Sequence, residues 1–387
     1  MGLAAVNTAA MAEEPMTQRA YLDWNATAPL RPEARAAMIA ALEAANASSV
    51  HAEGRAARAL IEKARAQLAA LVGASPKHVT FTSGATEANM LALQPTLGDR
   101  LLVSAVEHPS VRGGGRFAAD CVEELPVDGD GIVDPEALAR ALGRAKRPLV
   151  SVMLANNETG VIQPIRPIAD IVHAAGGLLH VDAVQAPGRI ECRIEELGAD
   201  LMTISSHKLG GPQGAGALIR RGDLRLEPLI KGGGQERGLR AGTENVPAIA
   251  AFGAACAAST LADAPRMAVL RERLEAAILA ATPDAVIFGA KVARLPNTTL
   301  FAVPGLKAET AIIAFDLAGV ALSSGSACSS GKVAASHVLA AMGVAPALAR
   351  GAVRVSLGRD TSESELERFL GTWKKLAGSL LKERRAA

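Results

Sequence analysis

Three compact apolar runs, at residues 149–154, 178–181 and 201–204, set the tightest limit on how this chain can fold. Each has the length of a strand. Between the first two lies a helical repeat over 168–175, stopped by Gly176-Gly177. Strand, helix and strand at this rhythm predict a mostly parallel sheet covered on both faces. Upstream, residues 55–72 place Leu60, Ile61, Ala64, Leu68, Leu71 and Val72 on one helical face, closed by Gly73. A short strand at 79–82 leads into a helix that begins near Thr86. After about residue 260 the texture changes. A long helix over 267–280 is followed by strands near 297–303 and 353–356. A last amphipathic helix opens on a capping box, Ser362-Glu-Ser-Glu365, and carries Leu366, Phe369, Leu370, Trp373, Leu376 and Leu380. Two domains are expected.

Bulk properties narrow the function classes. At 387 residues the chain can bury a large core. Its hydrophobic content of 49% is mostly alanine, valine and leucine, and no run approaches a membrane span. A net charge of +2 from well-mixed residues leaves no basic block for nucleic acid. Cys121, Cys192, Cys256 and Cys328 lie far apart and lack metal-ligand spacing, which favours free thiols in a reducing compartment. The first twenty residues have neither a basic region nor a long apolar one, so they read as an extension rather than a secretory signal. A cytoplasmic protein with no metal centre is expected.

Three segments carry chemistry, each with a plainer reading beside it. Thr82-Ser-Gly-Ala-Thr-Glu-Ala-Asn89 joins a strand to a helix through small residues. Exposed N–H groups at a helix start make a phosphate site, although an ordinary N-cap looks the same. Asp182 ends an apolar strand, where a carboxylate is costly without a cationic partner. It could be a simple cap, or it could keep a pyridine nitrogen protonated. Lys208 follows the next strand, wedged between His207 and a glycine run. A lone lysine is usually a solvated charge. Here Asp182 and Lys208 are expected at the carboxyl ends of neighbouring strands, where ligands bind in open α/β sheets. Phosphate turn, acid and Schiff-base lysine, in this order, fit the three handles of pyridoxal phosphate. Cys328 lies in 323–335, a stretch with five serines and two glycines, too polar for core. A sulfur nucleophile there fits chemistry that needs reach. The other three cysteines read as structural.

The ordered motifs Thr82-Ser-Gly-Ala-Thr-Glu87, Glu107-His-Pro109, Asn156-Asn-Glu-Thr-Gly160, His180-Val-Asp-Ala-Val-Gln185, Ser206-His-Lys208, Gly232-Gly-Gly-Gln-Glu-Arg237, Arg240-Ala-Gly-Thr243, the cysteine segment and Arg354-Val-Ser-Leu-Gly-Arg359 resemble the NifS/IscS-like cysteine desulfurases. These belong to the class V group of fold-type I pyridoxal-phosphate enzymes. The likeness runs from about Tyr21 to Arg359, and Ser-Ser-Gly-Ser-Ala-Cys328 points to the long-loop branch. It implies an α/β fold, with a large domain at 21–262 built on a mostly parallel seven-stranded sheet. The domain's first residues could pack on the smaller α+β domain at 263–387, which carries the cysteine loop, and residues 1–20 are expected as a flexible extension. Trp24 and Ala28 depart from the family pattern, which has a polar residue and threonine there.

The same resemblance implies roles. Lys208 would hold the cofactor and move the Cα proton, Asp182 would pair with the ring nitrogen, and Gln185 would meet the phenolic oxygen. His108 would stack on the ring as an acid–base group. Ala85, Thr86, Ser205 and His207 would hold the phosphate, and Thr243 would reach the phosphate of the other subunit in a homodimer. Asn157 and Arg354 would bind the substrate carboxylate, a match of guanidinium fork to carboxylate. The implied reaction turns L-cysteine into L-alanine and leaves its sulfur on Cys328 as a persulfide, for an iron–sulfur scaffold or a thiolation factor. A selenocysteine lyase or a class V aminotransferase would share the cofactor residues. A sulfur-relay docking subunit is the non-enzyme alternative.

Overall fold

A computed structural model describes residues 19–325 and 336–386. The described chain opens on a two-residue strand, β1 (Ala20–Tyr21), and then builds a seven-stranded sheet. Its strands are β2 (Val79–Thr82), β3 (Arg100–Ser104), β4 (Val122–Leu125), β5 (Pro148–Ser151), β6 (Leu178–Asp182), β7 (Leu201–Ser205) and β8 (Gly216–Arg220). Their spatial order is β2-β8-β7-β6-β5-β3-β4. Only β8 runs against its neighbours. Six strands therefore end at the same edge.

Both faces of this sheet are apolar, which explains the unbroken hydrophobic runs in the sequence. Leu101, Val103, Leu149, Leu201 and Leu218 join one layer. Leu102, Val150, Met202, Ile204 and Ile219 join the other. Period-two alternation therefore persists, but between two dry layers rather than between core and water. Ser151 closes β5 earlier than the expected 154, yet Val152 and Leu154 still donate backbone hydrogen bonds to His180 and Asp182.

The helix expected over 55–72 spans Ala52–Val72, because His51 caps it by accepting from the Gly54 N–H at 3.3 Å. Gly73 ends it in the left-handed region (φ 65°), where a Cβ is costly. Against it lies the helix Val246–Ala257. Their contact is so close that a Cβ on Gly253 would sit 2.4 Å from Ala64 Cα.

A second core forms around a smaller antiparallel sheet of order β12-β13-β10-β9. Its strands are β9 (Val286–Ile287), β10 (Thr298–Ala302), β12 (Ser323–Ser324) and β13 (Val353–Ser356), while β11 (Val320–Ala321) pairs in parallel with β1. The helices Ala264–Ala281 and Glu363–Ala386 cover it through Leu270, Leu274, Ile278, Leu366, Phe369 and Trp373. Phe301 meets Trp373 edge-on at 5.1 Å. The capping box forms as read: Ser362 N–H donates to Glu365 Oε2 at 2.8 Å, and Glu365 N–H donates to Ser362 Oγ at 3.3 Å. Ala20 and Leu22 are buried in this second core. No helix among the described residues is long and apolar enough to cross a membrane.

Gly253→Ala should destabilise the protein by about 1–2 kcal/mol, because crowding at the helix contact outweighs the better helix propensity of alanine. A lower urea midpoint at unchanged slope is the expected reading, and an unchanged midpoint would show that the two helices separate at no cost.

Candidate active site

The shared carboxyl edge of the large sheet opens into a cavity of about 450 Å³. Each parallel strand hands over to a lining segment. After β2 come Ser83 and Gly84 and the helix Ala85–Ala92; after β3 comes His108; after β5 come Met153 and Asn157. Asp182 closes β6, and Ser205 closes β7 just before His207 and Lys208. Asp182 and Lys208 thus stand at the ends of adjacent strands.

One end of the cavity suits a phosphate. The helix Ala85–Ala92 starts at Gly84, and no side chain caps it. A Cβ on Gly84 would meet nothing within 4 Å, so the turn faces open space. Behind it, a Cβ on Gly216 would lie 2.5 Å from the Gly84 carbonyl carbon. The turn can rest on β8 only because Gly216 has no side chain. Ala85, Thr86, Ser205 and His207 line this region. Burial, then Lys208, draws the His207 imidazole down to about 4, so it is neutral near pH 7.

At the other wall, Lys208 Nζ donates to the backbone carbonyls of Asn25 (2.6 Å) and Ala26 (2.8 Å). Gln185 Nε2 donates to the same Asn25 carbonyl at 3.1 Å. Gln185 Oε1 and its backbone carbonyl both accept from Arg189 Nη1, the latter at 2.9 Å. Arg189 is buried, which together with Arg354 brings its guanidinium down to about 10. Asp182 Oδ1 accepts from the Val184 N–H at 3.0 Å, and Oδ2 accepts from Asn89 Nδ2 at 3.0 Å. His108 Nδ1 lies 2.8 Å from Ser110 Oγ. Burial draws its imidazole below the usual range, against the pull of Asp182 and with the push of Lys208.

Arg354, on β13, is only 1% exposed and reaches the cavity from the second core. Its Nη1 donates to the Asn157 carbonyl at 3.0 Å and its Nη2 to Asp23 Oδ1 at 2.7 Å. Lys208, Asp182, Gln185, His108, Ala85, Thr86, Ser205, His207, Asn157 and Arg354 therefore share one cavity. Thr243 does not. It lines a neighbouring pocket of about 200 Å³ that borders the same turn through Ser83 and Gly214. Cys328 lies outside the described residues. Trp24 and Ala28 line a separate small pocket, and Arg359 lies 5.3 Å over the Trp24 ring. Cys192 and Cys256 are buried, which pushes the Cys192 thiol up to about 12 and that of Cys256 higher still. Cys192 sits in an irregular segment rather than on a helix or strand edge. Among the described residues no cluster of histidine, cysteine and carboxylate could hold a metal ion.

Several site residues escape the sequence reading. Asn25 and Asp23 lie in an N-terminal segment read only as a departure from the family pattern. Asn89 closes the same motif as Thr86, one helical turn on, and that spacing was the available signal. Glu107 is fully buried, and burial reinforced by Asp182 holds its carboxyl well above the usual range. Glu158 follows Asn157 and accepts from Ser336 Oγ at 2.5 Å.

Burial lifts the Glu158 carboxyl from 4.5 to about 7, against the opposing effects of Ser336 and Arg354. The folded protein thus keeps a proton that the unfolded chain releases. That contribution is whole below about pH 4.5 and drains away as pH rises towards 7. Glu158→Gln retains an acceptor for Ser336 without the titration. It should match wild type at pH 4 and exceed it by about 2–3 kcal/mol at pH 8.5, read from urea midpoints. Parallel stability–pH curves for the two proteins would refute this.

A family model described as aminotransferase class-V matches residues 20–369. A cysteine desulfurase of Cereibacter sphaeroides is 42% identical over 365 residues, covering 91% of this chain and 94% of the relative. A cysteine desulfurase IscS of Dictyoglomus turgidum is 38% identical over 379 residues, 94% of this chain and 96% of the relative. Among solved structures, a NifS-like protein from Rickettsia africae superposes with a TM-score of 0.85 at 37% identity, over 92% of this chain and 99% of that one. Matched along most of its length in sequence and in fold, the chain belongs to the aminotransferase class-V family.

Proposed function

We propose that the protein is a pyridoxal-phosphate-dependent cysteine desulfurase, which converts L-cysteine to L-alanine and takes the sulfur as a persulfide on Cys328. The observation that carries this reading is the placement of Asp182 and Lys208 on adjacent strand ends, in one cavity with an uncapped helix start. When bound, pyridoxal phosphate supplies an electron sink for charge that develops at the substrate Cα.

The chain's residues then have distinct tasks. Ala85, Thr86, Ser205 and His207 hold the phosphate, and Asp182 keeps the ring nitrogen protonated. Gln185 serves the phenolic oxygen, and His108 packs on the ring. Lys208 Nζ carries the proton at Cα. Arg354 and Asn157 orient the substrate carboxylate. Cys328 attacks the substrate sulfur as a thiolate. One C–S bond breaks, one S–S bond forms and the carbon gains a proton, so no external oxidant is consumed. The products are alanine and an enzyme persulfide.

A homodimer in which Thr243 serves the partner's phosphate suits a pocket that borders the phosphate turn from outside the main cavity. The persulfide would pass to an acceptor for iron–sulfur assembly or thiolation in the cytoplasm. The fold units at 21–262 and 263–387 would meet across the cavity, with Arg354 supplied from the second.

The direct test pairs wild type with Cys328→Ser on L-cysteine. Wild type should yield alanine and sulfide in equal amounts with a reductant present. The variant should keep the cofactor's absorption band and lose turnover. Sulfur release by Cys328→Ser at the wild-type rate would make the protein a lyase or transaminase instead. A second test concerns the phosphate turn. Gly216→Ala should weaken pyridoxal-phosphate binding by roughly tenfold to a hundredfold, because the added methyl displaces Gly84. Fluorescence titration of the cofactor-free protein reads this, and an unchanged Kd would place the phosphate elsewhere.

A further inference from the structure

Asn89 lies between two groups that the proposed reaction uses, Asp182 and His108. It is fully buried on the helix Ala85–Ala92. Its single amide nitrogen donates twice, to Asp182 Oδ2 at 3.0 Å and to Ser110 Oγ at 2.9 Å. Its carbonyl oxygen has no hydrogen-bond partner among the described residues. A buried, unpaired carbonyl is a cost that an apolar side chain would avoid. Turning the amide over would set that oxygen against a carboxylate oxygen, acceptor to acceptor, so the orientation is determined. The fold therefore accepts an orphaned carbonyl in order to place a double donor here.

The effect travels one residue further. Ser110 Oγ accepts from Asn89, which leaves its own hydrogen available to His108 Nδ1, 2.8 Å away. The Ser110 backbone N–H also donates to Nδ1, at 3.2 Å. A ring nitrogen that accepts from these donors cannot carry the proton of a neutral imidazole, so that proton sits on Nε2.

We propose that Asn89 is a positioning residue that joins Asp182 to His108 through Ser110, fixing the orientation of the Asp182 carboxylate and holding His108 as the Nε2–H tautomer. The part concerning Asp182 rests on the reading of the cavity as the cofactor's; the part concerning His108 does not. Asp182 and Asn89 are both buried, which strengthens the bond between them, because hydrogen bonds gain weight away from water.

The test uses the pyridoxal-phosphate-loaded protein with ¹⁵N-labelled histidine, as wild type, Asn89→Leu and Ser110→Ala. His108 signals are assigned by their loss in His108→Gln. In wild type at pH 8, Nδ1 should resonate as a bare nitrogen and Nε2 as a protonated one. Both variants should move the Nδ1 signal towards the protonated position. Asn89→Leu should also shift the titration of the cofactor band to higher pH by roughly one unit, since an Asp182 carboxylate turned from its place leaves the ring nitrogen less protonated. Ser110→Ala should leave that band alone. Wild-type nitrogen shifts and an unmoved band in a folded Asn89→Leu would overturn the proposal. If Asn89→Leu does not fold, Ser110→Ala decides alone, and unchanged His108 shifts overturn the link. If wild type never develops the band but shows the expected nitrogen pattern, the cofactor reading fails while the link to His108 stands.

Discussion

A parallel sheet that is dry on both faces brings its strand ends to one edge, and the chemistry of this protein depends on that alignment. Six of seven strands run the same way, so residues scattered from 83 to 208 meet around one cavity. Helices packed on both layers keep water from the strands themselves. Polar groups at the edge therefore sit where solvation is poor and a partner or a lost charge must compensate. Glu107, Glu158, His108, His180 and His207 are all drawn towards their neutral forms by burial. Of these, His108 and His207 line the cavity, where perturbed groups of this kind suit acid–base chemistry.

The backbone is the main partner for the charges that remain. Lys208 is held by two carbonyls of the N-terminal segment, and Arg189 binds carbonyls of Gln185 and Trp24. Backbone acceptors cannot change protonation state, so they orient a cation without competing for its proton. Arg354 differs, since Asp23 takes one of its nitrogens in an ion pair that joins a buried guanidinium to a half-buried carboxylate. That arrangement fixes the guanidinium plane before any substrate arrives, and leaves part of the fork committed.

The strand runs that are apolar on both sides were legible in the sequence, because burial of both faces leaves a composition signal that needs no tertiary knowledge. Asp182 and Lys208 were legible for the same reason: a charge at the end of such a run stands out. The reversed direction of β8 was not legible, since direction leaves no trace in hydrophobicity. Helix starts drifted by a turn where an unexpected cap governed, as at His51. Asn89, Asp23 and Glu158 stayed hidden because their partners are far away in the chain. Thr243 has its implied role at the phosphate of the other subunit, and within this chain it lines an adjoining pocket rather than the main cavity.

The clasp on Lys208 has a consequence for biosynthesis. Asn25 supplies a carbonyl to the lysine, and its side chain bonds Thr298 and Asn297, while Ser356 Oγ holds its N–H. The strand just before it pairs with residues 320 and 321. A segment that leaves the ribosome early therefore waits for partners that leave late. The large sheet can form beforehand, since all its strands lie before residue 221. Its lysine, however, stays unclasped until the final third of the chain has emerged. A nascent chain stalled before β13 would carry a formed sheet with an unfinished pocket.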